Sequence, residues 1–170
     1  MTYKRFEDLP AWKAAVAFLI DLYEFSDQAE QLLRRRSDLR SQFERAALSI
    51  SNNIAEGFER GTTNELIAFL YIARGSAGEV RSMLCVIEML ANFEDLKSQI
   101  SDLKSQAESI SRQLRAWLDK LQNSDIKGQR YLNEASRHEY IRQREADRIA
   151  AERREFMEEI RRIVTESRGY

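Results

Sequence analysis

Apolar residues recur along the first 121 positions of the chain at intervals of three and four, and the stretches between these runs are short and polar. Such a pattern predicts four amphipathic helices in succession. The first is expected to begin near Asp8, whose carboxylate suits an N-cap, with Pro10 in the first turn where its missing N–H costs nothing. Trp12, Val16, Leu19 and Tyr23 form its predicted inner stripe. Phe18, Leu22 and Phe25 broaden that stripe and offer apolar surface to another copy of the chain. A polar connection holding Arg34, Arg35 and Arg36 follows, and Ser37 is the expected cap of a second helix with Phe43, Ala46 or Ala47, Ile50 and Ile54 inside. Gly57 and Gly61 bracket its end. Thr62 and Glu65 then read as a capping box opening a third helix, with Phe69, Ala73, Ser76, Val80, Leu84 and Ile87 on its inner face. Asn92 is the expected cap of a fourth, in which Leu96, Ile100, Leu103, Ala107, Ile110, Leu114, Trp117 and Leu121 make a heptad seam.

Four stripes joined by short connections are most simply buried as an all-α, up-down-up-down four-helix bundle, because each helix then packs on its neighbours in sequence. A break is predicted between Asn123 and Gly128, which divides the chain into a bundle over 1–124 and a tail over 125–170. The tail interleaves Arg and Glu at helical intervals, the pattern of a long exposed helix. Ile149, Phe156, Ile160 and Ile163 are too sparse there for a core, yet their spacing suits a narrow seam against one protein partner.

Composition narrows the function more than it identifies it. A length of 170 residues with 43% hydrophobic content suffices for one packed domain. A single Pro and six Gly leave little to interrupt helices. Lone Cys85 has no disulfide partner within the chain, the opening MTYKRFEDLP lacks an apolar signal segment, and no run approaches the roughly 20 apolar residues of a membrane span. The expected compartment is the cytoplasm, without membrane contact. A formal net charge of -1 gives the whole chain no electrostatic attraction for nucleic acid, which leaves that possibility to local patches. Arg34, Arg35, Arg36 and Arg40 are the best candidate phosphate contact in the bundle.

Reaction chemistry is harder to find. Ser49, Asn53 and Glu56 share one helical face and Gly75, Ser76 and Glu79 another, either as a binding site or as a hydrogen-bonded packing motif. Packing is the favoured reading, with Arg45 neutralising a carboxylate and Ala73, Gly75 and Ser76 letting two backbones approach. A di-iron bundle site needs paired Glu-x-x-His motifs, and the chain's single histidine, His138, lies in the tail. Cys85 has no neighbouring base in sequence, and Gly57 and Gly61 fit no nucleotide-binding spacing. The expectation is a protein without enzymatic activity, cofactor or metal.

The stretch from Gln42 to Glu79, QFERAALSISNNIAEGFERGTTNELIAFLYIARGSAGE, carries a more specific signal. It resembles the four-helix-bundle proteins encoded in intervening sequences of bacterial 23S ribosomal RNA genes, and their relative Avd, the accessory protein of diversity-generating retroelements. Gln42, Arg45, Ala46, Ser49, Ile50, Asn53, Ile54, Ala55, Glu56 and Gly57 match the first half of that pattern. Glu65, Phe69, Leu70, Ile72, Ala73, Gly75, Ser76 and Glu79 match the second. Asp8, Leu9, Trp12 and Ala15 reproduce the opening segment, so the resemblance covers roughly residues 5–121. It implies a self-assembling homo-oligomer, a pentamer, acting as a scaffold or adaptor. The alternative it implies is an Avd-like accessory that binds RNA or DNA together with a reverse transcriptase. Glu44 departs from the family pattern, standing where a basic residue often precedes the equivalent of Arg45.

Overall fold

The computed structural model describes residues 3–123 and 134–167; within the second segment, side chains are described at 138, 141–143 and 145–158. Two compact units, residues 1–130 and 131–170, make up the chain. In the first, α1 (Pro10–Gln28), α3 (Ser37–Glu59), α4 (Thr63–Glu88) and α5 (Lys97–Gln122) form the up-down-up-down bundle, with the single turn α2 (Glu30–Leu33) between α1 and α3. Helix α1 packs on α3 and α5, and α4 packs on the same two, so α1 and α4 stand diagonally across the bundle. The second unit is the charged helix α6 (Glu134–Ser167). The expected boundary at residues 124 and 125 lies outside the described residues.

The core face of α1 is rotated from the predicted one. Ala11, Ala15, Phe18, Leu22 and Phe25 are buried, and of the predicted stripe Leu19 is buried with them, whereas Trp12 and Val16 are half-buried and Tyr23 is 40% exposed. Phe18 and Leu22 are 0% exposed, so the surface expected to meet another copy is the centre of the monomer's own core. Both stripes have the same helical spacing, offset by one residue or about 100°. The small alanines decide between them, because they let α1 lie close to its neighbours while the bulkier Phe18, Leu22 and Phe25 fill the space beyond.

Three predicted caps also fall elsewhere. Asp8 belongs to a 3₁₀ turn over Phe6–Asp8, and Leu9 takes the N-cap position without a side-chain bond, Pro10 being the first helical residue. Ser37 is already inside α3, entered directly from a second 3₁₀ turn, Arg34–Arg36. Asn92 has φ 75°, a left-handed conformation that asparagine tolerates, and it turns the chain between α4 and the 3₁₀ turn Glu94–Leu96 that precedes α5. Half of the capping box stands: Glu65 donates its backbone N–H to Thr62 Oγ1 at 3.2 Å, while the Glu65 carboxylate accepts from the Thr62 hydroxyl at 2.8 Å in place of a backbone N–H.

On α3 and α5 the predicted faces match closely. Phe43, Ala46, Ala47, Ile50 and Ile54 are buried on the first, and Ile100, Leu103, Ala107, Ile110 and Leu114 on the second. The α5 stripe ends on Leu118 rather than Trp117 and Leu121, which are half-buried, as expected for a straight helix drifting from a 3.5-residue repeat. On α4, Ala73, Ser76, Val80, Leu84 and Ile87 are buried, and Phe69 is half-buried at the α3 edge.

Candidate functional site

Where α3 meets α4, the polar residues of the Gln42–Glu79 stretch divide into two groups. Ser49 Oγ on α3 and Ser76 Oγ on α4 lie 3.0 Å apart. Asn53 Nδ2 donates to Ser49 Oγ at 2.9 Å and to the Ser49 carbonyl at 2.7 Å, and the Ser76 hydroxyl donates to the Ile72 carbonyl at 3.1 Å. These three side chains make a closed hydrogen-bonded bridge across the helix pair. A bridge whose hydroxyl protons are already engaged fixes helix register and leaves few groups for a ligand.

The remaining members do not join it. Arg45 donates to the Ser41 carbonyl of its own helix at 3.2 Å instead of neutralising a carboxylate, and Glu56 pairs with Arg60 four residues on, an i,i+4 neighbour within easier reach. Gly75 and Glu79 point outward, and a Cβ added at Gly75 would meet nothing within 4 Å. The close backbone approach expected at Gly75 occurs instead at Gly57, where a Cβ would sit 2.7 Å from Phe69 Cβ. Arg60 lies over the same phenylalanine, 5.1 Å from the ring centroid.

A second polar cluster was not foreseen in the sequence. Fully buried Ser26 on α1 donates its hydroxyl to Glu44 Oε1, the oxygen that also accepts from Arg40 Nε at 2.8 Å, and Arg40 Nη2 reaches Asp27 Oδ1 at 2.8 Å. The bond to Glu44, and then the charge of that carboxylate, hold the Arg40 guanidinium above its ordinary pKa. Glu44 thus ties α3 to α1. Arg40 is committed to this cluster and so is not free to contact phosphate, whereas Arg34, Arg35 and Arg36 are exposed and have no hydrogen-bond or ion-pair partner among the described residues.

Elsewhere on the bundle, Lys104 bridges α5 to Glu88 on α4 at 2.6 Å, and that bond raises the pKa of its ammonium. Cys85 is half-buried, and His138 is exposed on α6. Among the described residues, no group of three or more His, Cys, Asp or Glu side chains gathers as metal ligands would, and no helix is long and apolar enough to cross a membrane. In the tail, Ile149 and Phe156 are 59% and 61% exposed. The side chains of Ile160 and Ile163, the other half of the expected seam, lie outside the described residues.

The bridge predicts a definite energetic signature. Ser49→Ala and Ser76→Ala are each expected to lower stability by about 1 kcal/mol, and the double variant by less than the sum, because the second loss removes a partner already orphaned. Urea unfolding of the three variants measures the coupling. Strict additivity would show that the two hydroxyls act independently.

An up-down-up-down bundle with a hydrogen-bonded serine and asparagine bridge between its central helices defines a class of small all-α protein. The family model for the 23S rRNA-intervening sequence protein matches residues 7–116, about two thirds of the chain, and the chain belongs to that family. The match ends before α6. No curated protein matches the chain.

Proposed function

We propose that this protein is a non-enzymatic, self-assembling cytoplasmic scaffold, a homopentamer as its family resemblance implies, whose bundle builds the oligomer and whose helix α6 engages a protein partner. The observation that carries this reading is the outward side of α4. Opposite its buried Leu66, Ala73, Val80 and Leu84, helical spacing places Ala68, Tyr71, Gly75, Ser82 and Val86, with Glu79 among them, Ile72 at one edge and Arg74 at the other. Ile72 and Val86 are 52% and 50% exposed, and Met89 just beyond the helix is 84% exposed. A solvated helix face ordinarily carries charge, so a face this apolar favours association. Ile72, Gly75 and Glu79 belong to the family pattern yet have no task within the fold.

Light scattering is the test. The full chain is expected to have a mass several times 19.9 kDa at micromolar concentration. Removing residues 125–170 is expected to keep both the fold and the oligomer while abolishing capture of the partner, since exposed ion pairs such as Arg148 with Glu152 at 3.6 Å contribute only about 0–1 kcal/mol each. A monomeric full chain would overturn self-assembly, and an unfolded truncation would overturn the division into body and arm.

The turn Arg34–Arg36 favours a second reading, an Avd-like accessory that holds nucleic acid beside a reverse transcriptase. Three unpaired guanidinium groups suit phosphate. Salt-dependent RNA binding that disappears when the three arginines are replaced by serine would support this reading over the first.

A further inference from the structure

We infer that α6 pairs with one helix of another protein, a helix whose apolar seam is bordered by lysine or arginine. The inference rests on α6 as the arm that engages a partner, and it names the kind of partner. Beyond the residues matched by the family model, the sequence of α6 keeps a strict seven-residue repeat. Arg142, Ile149, Phe156 and Ile163 form one row, and Ala146, Arg153 and Ile160, three residues ahead, form a second. Glu145, Glu152, Glu159 and Glu166 form a third, directly before the second. A straight helix drifts by about 20° per seven residues against such a repeat, so these rows stay in contact only with a helix that coils around them. The first two rows are then the seam, and the glutamates border it.

The described side chains of these rows all stand in solvent, with Ile149 59% and Phe156 61% exposed. Along the other border run Ala150 and Met157, the latter 48% exposed. The seam therefore has one acidic flank and one apolar flank. An acidic flank is met by a partner that carries cations along the facing row, as charges bordering a coiled-coil seam set partner choice. Glu152 already pairs with Arg148 at 3.6 Å, but both side chains are largely exposed and such a pair contributes little, so it yields to a cation across the seam.

A second α6 is the wrong occupant. In a parallel pair in register, Arg142 and Arg153 would each face their own counterpart inside the seam, and the glutamate row would lie against Ala150 and Met157, where there is no cation. In an antiparallel pair the two glutamate rows would face each other along their length. A different helix that sets Lys or Arg along the glutamates and a carboxylate beside Arg153 satisfies every charge bordering the seam. The same row repels the phosphates of a nucleic acid, and the two arginines within the seam oppose burial in a lipid surface.

Two four-heptad synthetic peptides are the probes, each with leucine at the seam and either lysine or glutamate along both flanks, so that parallel and antiparallel pairing are both covered. Titrated into the full chain and followed by fluorescence anisotropy, the lysine peptide is expected to bind at least about tenfold more tightly than the glutamate peptide. Replacing Glu145, Glu152, Glu159 and Glu166 together by lysine is expected to reverse the preference. Replacing the four by glutamine, should the lysines unfold α6 by circular dichroism, is expected to remove it. Ile149→Asp with Phe156→Asp is expected to abolish binding of either peptide. Equal affinity for the two peptides, binding of neither, or a lysine peptide that still binds after both aspartate changes would overturn the inference. If a partner lost on removal of residues 125–170 is kept by the four-lysine chain, the inference fails while α6 remains the binding arm. A truncated chain that keeps the partner would remove both.

Discussion

Truncating Phe18 to alanine is expected to lower the unfolding free energy by about 3–5 kcal/mol, a large share of the roughly 5–15 kcal/mol available to a domain. The ring is 0% exposed and sits in the cluster that holds Leu22, Phe43, Leu70 and Ile100. Deleting it removes both buried apolar area and the contacts of its neighbours, which cannot close the cavity without moving helices. Tyr23→Ala, on the opposite side of α1, is expected to change monomer stability by no more than about 0.5 kcal/mol, as exposed substitutions usually do. Denaturant unfolding of both variants, under conditions where assembly is dispersed, separates the two faces. Similar losses at the two sites would place α1 in the rotation read from its sequence, and the packing described above would be wrong.

That rotation shows where hydrophobic periodicity stops being informative. Trp12, Val16, Leu19 and Tyr23 have the spacing of a buried stripe, yet of the four only Leu19 is buried, and the true stripe begins with Ala11 and Ala15, which score as bland residues. An alanine's contribution to a bundle is the closeness it allows, and that depends on a neighbouring helix the local sequence does not name. On α3, Phe43, Ile50 and Ile54 stand on one side of a polar helix, so only one face could be buried and the pattern was legible. The bridge was half legible for a similar reason. Ser49, Asn53 and Ser76 share inward-leaning faces that spacing reveals, but spacing does not tell that Gly75 and Glu79, one and three residues from Ser76, turn to solvent. Nor could it show that Glu44 reaches Ser26, because that bond depends on how α1 is rotated.

Gly57→Leu is expected to be among the most damaging single changes at the α3 and α4 crossing. Gly57 is buried one turn from the end of α3, where even a methyl group would come within 2.7 Å of Phe69 Cβ and 3.3 Å of Leu66 Cδ1. Leu66 Cδ1 is the tip of a side chain and can rotate away. Phe69 Cβ cannot, because it is bonded to the α4 backbone, so α3 and α4 must separate or tilt. Helix propensity favours replacing the glycine by up to about 1 kcal/mol, but overpacking costs about 1–3 kcal/mol and more when backbone has to move, so the balance is unfavourable. Gly57→Ala is expected to show the smaller form of the same loss. Gly75→Ala is the control: with nothing within 4 Å of its Cβ, only the propensity term remains, and the monomer is expected to gain up to about 1 kcal/mol. Thermal unfolding by circular dichroism checks all three, with lower midpoints for both Gly57 variants and a higher one for Gly75→Ala. An unchanged midpoint for Gly57→Leu would mean that the helices tolerate separation there, and the glycine would then have no packing role to explain its place at the crossing.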